Sequence, residues 1–163
     1  MKKLIIGLIS IYAMAMISIA SAQDAGAISL QTIVEKEEFF VDQSGIERSR
    51  LVPITTAVPG DEVVYTITFR NVSDVALQKV AVTSPVPEHT VYVAGSATGV
   101  DTQVSFSVDG GQTYAPPQEL LVAGNDGKQR LAQSHEYSHI RWLLLKDAQP
   151  GASGFTRFRA VLK

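Results

Sequence analysis

Short runs of Val, Ile, Thr, Phe and Tyr, separated by turn-forming residues, recur along this sequence of 163 residues and favour strands over helices. The clearest run is VVYTITFRN, residues 63 to 71. Val63, Tyr65, Ile67 and Phe69 alternate with Val64, Thr66, Thr68 and Arg70, so the two sets lie on opposite faces of a strand. Turn residues precede the run at Pro59-Gly60-Asp61 and follow it at Asn71-Val72-Ser73-Asp74. The sequence therefore predicts an all-β fold.

Further runs predict strands at residues 79–84, 91–96, 102–109, 137–145 and 155–162. Two or three more strands are expected between Ile28 and Thr56, where the alternation is less regular. The total of seven to nine strands predicts two sheets packed face to face in an immunoglobulin-like β-sandwich. The expected core consists of the side chains on the more apolar face of each run: Tyr65, Ile67, Phe69, Val80, Val82, Phe106, Trp142 and Leu144.

The first 22 residues have the pattern of a secretory signal peptide. Lys2 and Lys3 precede an apolar run from Leu4 to Ala20, and Ala20-Ser21-Ala22 is a cleavage site of small residues. A retained membrane anchor is the alternative, because the run approaches the roughly 20 residues that span a bilayer. Cleavage predicts an exported protein, periplasmic or extracellular, without a membrane span. Residues 23–58 are then expected to supply the N-terminal strands, partly extended, of a single domain, and residues 59–163 its main part.

Charge and cysteine content exclude several classes of function. Loss of Lys2 and Lys3 with the signal peptide changes the formal net charge from −2 to −4, whereas nucleic-acid binding calls for clustered positive charge. The chain has no cysteine, which excludes disulfides, a thiolate nucleophile and Cys-ligated zinc. We therefore expect no nucleic-acid partner, and we expect stability to come from hydrogen bonding and apolar packing.

The segments PGDEVVYTITFRN and KVAVTSPVPEHTVYVAGSA, between Pro59 and Ala97, resemble the bacterial domain-of-unknown-function family 11. Repeats of that family carry a Pro-Gly-Asp, a Tyr-Thr-Ile-type strand, a turn Asn and a Val-rich strand that ends in Pro. The resemblance implies an immunoglobulin-like sandwich of exported or cell-surface proteins, with no established enzymatic activity. This chain has Ser84 where such repeats often have Asp, and it has one copy where they often form tandem arrays.

The segment SHEYSHIRW, residues 134 to 142, contains His135, Glu136 and His139 in the order H-E-x-x-H. On a helix this motif would place two imidazoles around a zinc ion and the Glu beside a zinc-bound water. On a strand the two histidines would lie about 13 Å apart, too far to share a metal. No His or Glu follows His139, and the apolar alternation from Ile140 to Leu144 favours a strand. We therefore expect no catalytic, cofactor or metal site here, and a small zinc metallopeptidase that uses these three residues is the alternative.

Other motifs are interpreted as turns. SVDGGQTY, residues 107 to 114, nearly matches the S-x-D-x-G-x-T-W box of sialidase-type propellers, but one copy cannot build a propeller. Asp109-Gly110-Gly111 is instead predicted to form the turn of a hairpin. Asn71-Val72-Ser73 matches a glycosylation sequon at the end of a strand. Asp101 and Asp126 also lie beside turn residues, with calcium binding as the minor alternative.

The sequence thus predicts a non-enzymatic, exported binding or structural module of the bacterial envelope. Its partner is expected to be an envelope protein or polysaccharide, which sheet faces, edges or end loops could hold. A third hypothesis is a subunit or accessory of a surface fibre, in which the long segment before Pro59 would exchange a strand with a neighbour.

Overall fold

The computed structural model describes residues 26–163, so the predicted signal peptide lies outside the described residues. Eleven strands and one short 3-10 helix, but no α-helix, occur within that range. The strands are β1 (Ile28–Val41), β2 (Glu47–Pro53), β3 (Glu62–Asn71), β4 (Ala81–Pro85), β5 (Thr90–Tyr92), β6 (Thr98–Gly99), β7 (Thr102–Ser107), β8 (Leu121–Ala123), β9 (Gln129–Leu131), β10 (His139–Leu144) and β11 (Ser153–Leu162). No helix of this part of the chain is long and apolar enough to cross a bilayer. The all-β prediction is confirmed.

Two antiparallel sheets pack against each other, in the arrangement of a β-sandwich. The larger sheet has the order β2-β1-β3-β11-β5, and β6 also pairs with β11. The smaller sheet has the order β4-β10-β7, and β8 and β9 form a separate hairpin. The long strands β3 and β11 lie side by side at the centre of the larger sheet, and β10 lies at the centre of the smaller one.

The core between the sheets is aromatic at its centre. The Phe158 side chain is fully buried and stacks on Tyr65 with ring centroids 4.8 Å apart, and the Trp142 ring lies 6.1 Å from Phe158 on the other side of the core. Tyr92, Phe106 and Tyr137 form a second aromatic group. Of the eight predicted core residues, six are buried: Ile67, Phe69, Val80, Val82, Phe106 and Trp142. Tyr65 and Leu144 are only partly buried and pack against this core.

Strand β3 is covered on both faces in its first half. Val63 and Ile67 face the core, while Val64 and Thr66 on the opposite face are also buried. The register places Arg159 of β11 beside Val64 and Arg157 beside Thr66. Arg157 Nε donates a hydrogen bond to Thr66 Oγ1, so long polar side chains cover the outer face of the sheet.

The structure has more strands than the seven to nine predicted, because four of the eleven contain only two or three residues. The predicted strand at 91–96 is reduced to Thr90–Tyr92, since a turn follows in which Ser96 N donates to Val93 O. The β8–β9 hairpin was not predicted from the sequence. Its strands are short and mostly exposed, although the Gly124-Asn125-Asp126-Gly127 turn between them is a recognisable signal.

Candidate functional site

The H-E-x-x-H segment does not form an α-helix. Its first residues lie in a single 3-10 turn, Ser134–Glu136, and His139 is the first residue of strand β10. His139 lies in register between Pro85 of β4 and Ser107 of β7, and Ile140 and Trp142 beyond it are fully buried. The motif is therefore split between a turn and a central strand.

Glu136 is held by Arg130 of β9. The two guanidinium nitrogens Nη1 and Nη2 of Arg130 each donate to one carboxylate oxygen over 2.7 Å, and Gln133 N donates over 2.8 Å. Hydrogen bonding from Arg130 and from the Gln133 backbone lowers the pKa of Glu136 from 4.5 to about 2. A carboxylate with so low a proton affinity is poorly suited to be a general base at neutral pH.

The Glu136 ion pair predicts a pH-dependent stability. Its folded pKa lies below the ordinary value, so its stabilising contribution is present above about pH 4.5 and is lost as the pH falls towards about 2. We expect Glu136→Gln to lower the free energy of unfolding at pH 7, and the difference from wild type to shrink as the pH approaches 2. Denaturant unfolding at both pH values measures this. Glu119→Gln, at an exposed carboxylate, is the control, and a pH-independent difference for Glu136→Gln would contradict the ion-pair interpretation.

Of the two histidines of the motif, His135 in the 3-10 turn is exposed, whereas His139 is partly buried and contacts its neighbours. A Cβ atom placed on Gly111 would lie 3.3 Å from His139 Cδ2, so the His139 ring lies directly against the backbone of the 107–114 turn. Ser138 Oγ lies 3.3 Å from His139 Nδ1. His89, at a positive φ of 62°, instead lines an apolar cleft of about 390 Å³ with Tyr65 and Leu162. Within residues 26–163, no three His, Asp or Glu side chains are grouped so that they could hold a metal ion.

Asp109 organises the turn that follows β7. Its carboxylate accepts hydrogen bonds from Ser107 Oγ and from the Thr113 hydroxyl and backbone N–H, which hold its pKa well below the usual range. Phe106 and Ala115 form a single antiparallel bridge across the base of this turn, and Gly110 and Gly111 have positive φ angles, as expected for the predicted turn. Asp101 binds Lys146 at 2.7 Å, and Asp126 Oδ1 accepts from Lys128 N. These predicted turn carboxylates therefore already have hydrogen-bonding partners.

Asn71 of the sequon is fully buried at the end of β3. Its side-chain nitrogen donates to Val75 O and to Ala148 O, both over 2.8 Å, and its Oδ1 accepts from Ser73 N and Ser73 Oγ. An amide in this position is inaccessible to a glycosylating enzyme in the folded protein. Its role in the fold is to tie two loops to the end of β3.

Several exposed apolar side chains lie on a ribbon formed by residues 35–53. In this ribbon, β1 pairs only with β2 from Lys36 to Val41, and Glu35 pairs with both β2 and β3. Every residue from Glu38 to Arg50 is exposed except Asp42, which accepts hydrogen bonds from Ser44 N and Ile46 N in the turn. Phe39 and Val41 point to the same face and are 65% and 67% exposed. At the base of the ribbon, Arg159 Nη1 donates to Glu37 at 2.7 Å and to Glu62 at 2.8 Å.

The sequence predicts a partly extended region here but does not identify the ribbon as an exposed surface. The turn Asp42-Gln43-Ser44-Gly45 was the available signal, since Asp and Gly are favoured in tight turns. The acidic stretch from Glu35 to Glu38 breaks the apolar alternation on which strand prediction relied.

Comparison with protein-family models and with curated proteins finds no match to this chain. The resemblance to the domain-of-unknown-function family 11 therefore stays a prediction.

Proposed function

We propose that this protein is a non-enzymatic, exported binding or structural module of the bacterial envelope. Its scaffold would be an immunoglobulin-like sandwich of the kind that the family 11 resemblance implies, and its partner another envelope protein or a polysaccharide. The observation that carries the proposal is the exposed ribbon of residues 35–53.

A two-stranded hairpin without further cover is only marginally stable in water. This ribbon nevertheless extends over the seven residue pairs from Glu35–Pro53 to Val41–Glu47 and exposes the adjacent side chains Phe39 and Val41 on one face. Ile46 at its tip is 53% exposed. Grouped exposed apolar side chains on a small domain mark interaction sites more often than isolated ones do. These features support a binding role for the ribbon.

The contacts of Glu136 argue against the zinc peptidase alternative. A peptidase of this type needs the Glu free to accept a proton from a metal-bound water. Here both carboxylate oxygens accept hydrogen bonds from Arg130, and the two histidines stand on either side of a turn-to-strand transition.

The binding role can be tested by affinity capture from an envelope extract with three forms of the protein. Phe39→Ser with Val41→Ser changes the ribbon, and Val100→Ser with Leu145→Ser changes two apolar residues elsewhere that are at least as exposed as Phe39. We expect a component that is retained by the wild type and by the control to be lost about tenfold or more with the ribbon variant, a change of about 1.4 kcal/mol in binding. Equal retention by all three forms would contradict a role for the ribbon.

A further inference from the structure

The first half of β1 has an unoccupied side. Residues Ile28–Val34 pair with β3 on one side, but β2 pairs only with Glu35–Val41 on the other and ends at Pro53, level with Glu35. Within residues 26–163 no strand pairs with the outer side of Ile28–Val34, which we call the free edge.

The backbone groups that point outward at the free edge can be assigned from the neighbouring hydrogen bonds. Val72 N donates to Ala27 O, so the odd-numbered residues of β1 face β3. Asp42 N donates to Ile46 O, so the even-numbered residues face the side of β2. The backbone N–H and C=O groups that point outward along the free edge are therefore those of Ile28, Leu30, Thr32 and Val34.

The free edge lacks the features that keep strand edges from pairing. Edge strands are normally protected by charged side chains, by proline or by a bulge. The sequence ISLQTIV of the free edge has neither a charge nor a proline, and Leu30 and Ile33 are 52% and 44% exposed. The outer edge of β2, in contrast, carries Glu47, Arg48, Arg50 and Pro53.

We propose that the free edge pairs with the free edge of a second copy of this chain, antiparallel, about a two-fold axis at Leu30. Leu30 then lies opposite Leu30 of the second copy, and Ile28 opposite Thr32 of the second copy. No charged residue faces a like charge in this pairing. The two larger sheets become one continuous sheet, and Leu30 gains an apolar neighbour on the same face.

The position of the two-fold axis is set by what lies at the two ends of the free edge. The free edge ends at Glu35, because Pro53 of β2 pairs with that residue. A strand of a second copy must therefore turn away from β1 before it reaches Glu35. The backbone of this chain has a bend at Ala27, just before β1 begins. Ala27 O still accepts a hydrogen bond from Val72 N, so Ala27 stays in line with β1 of its own sheet. When the pairing is centred on Leu30, Ala27 of each copy fits beside the free edge of the other copy.

Cysteine cross-linking tests this register, because the chain has no cysteine of its own. In the proposed pairing Ser29 lies opposite Gln31 of the second copy in a pair without mutual hydrogen bonds, with Cα atoms about 4.5 Å apart, within reach of a disulfide. The variant Ser29→Cys with Gln31→Cys should become a covalent dimer on mild oxidation. The control Ser49→Cys with Leu51→Cys, at the same spacing on the outer edge of β2, should remain monomeric.

Light scattering provides the second measurement. We expect the wild type to have twice the monomer mass and Thr32→Pro to have the monomer mass with an unchanged circular dichroism spectrum, since the Thr32 N–H faces away from β3. A monomeric wild type at all concentrations, equal cross-linking of both cysteine pairs, or a dimer that survives Thr32→Pro would overturn the proposal. The ribbon residues Phe39 and Val41 are unchanged in these variants, so failure here leaves the proposed binding function intact.

Discussion

Replacing Phe158 by alanine is expected to lower the free energy of unfolding by about 3–5 kcal/mol, the usual cost of truncating a buried aromatic side chain. Phe158 is fully buried at the centre of β11 and lies between Tyr65 and Trp142, so its removal leaves a cavity that both rings line. This cost is a large part of the stability of a typical domain. Denaturant unfolding, followed by the fluorescence of the single Trp, measures it.

The same strand offers a matched control. Phe155 lies three residues before Phe158, on the opposite face of β11, and is 48% exposed. Phe155→Ala should therefore cost about 1 kcal/mol or less, because most of the ring area that it removes is already in water. Equal costs for the two variants would show that β11 does not present Phe158 to the core.

Replacing Asn71 by alanine is expected to cost about 2–4 kcal/mol, since buried polar groups lose their partners. The Asn71 side chain donates to Val75 O and Ala148 O and accepts from Ser73, in a fully buried position. Asn125→Ala, at an exposed turn position, is the control and should change the free energy of unfolding by less than about 0.5 kcal/mol. Similar costs at Asn71 and Asn125 would contradict the assigned role.

The central strands could be predicted because their patterns are local. In β3 and β10 an apolar residue at every second position records which face is buried, and this holds for Ile67, Phe69, Ile140 and Trp142. The burial of Val64 could not be predicted in this way. It depends on Arg159 of a strand almost a hundred residues later in the chain, whose register is set by the whole sheet.

The candidate sites were less predictable, for the same reason. Asn71 has the sequence context of an exposed turn, and its burial depends on Ala148, which lies 77 residues away. The partner of Glu136 is Arg130, on a short strand without a clear pattern. Strand β1 is shared between β3 and β2. The acidic stretch that begins at Glu35 coincides with the change of partner, but it does not show which strand pairs on either side of it. The motif letters H-E-x-x-H carry no information about these contacts.

The central claim, that the protein is a binding or structural module and not an enzyme, is tested most directly by peptide hydrolysis in the presence of added zinc. The assay compares wild type, wild type with a chelator, and Glu136→Gln, on a mixture of unfolded protein substrates. Because both oxygens of the Glu136 carboxylate accept hydrogen bonds from Arg130, we expect none of the three samples to cleave substrate above the rate in buffer. Hydrolysis by the wild type that is abolished both by the chelator and by Glu136→Gln would contradict the account.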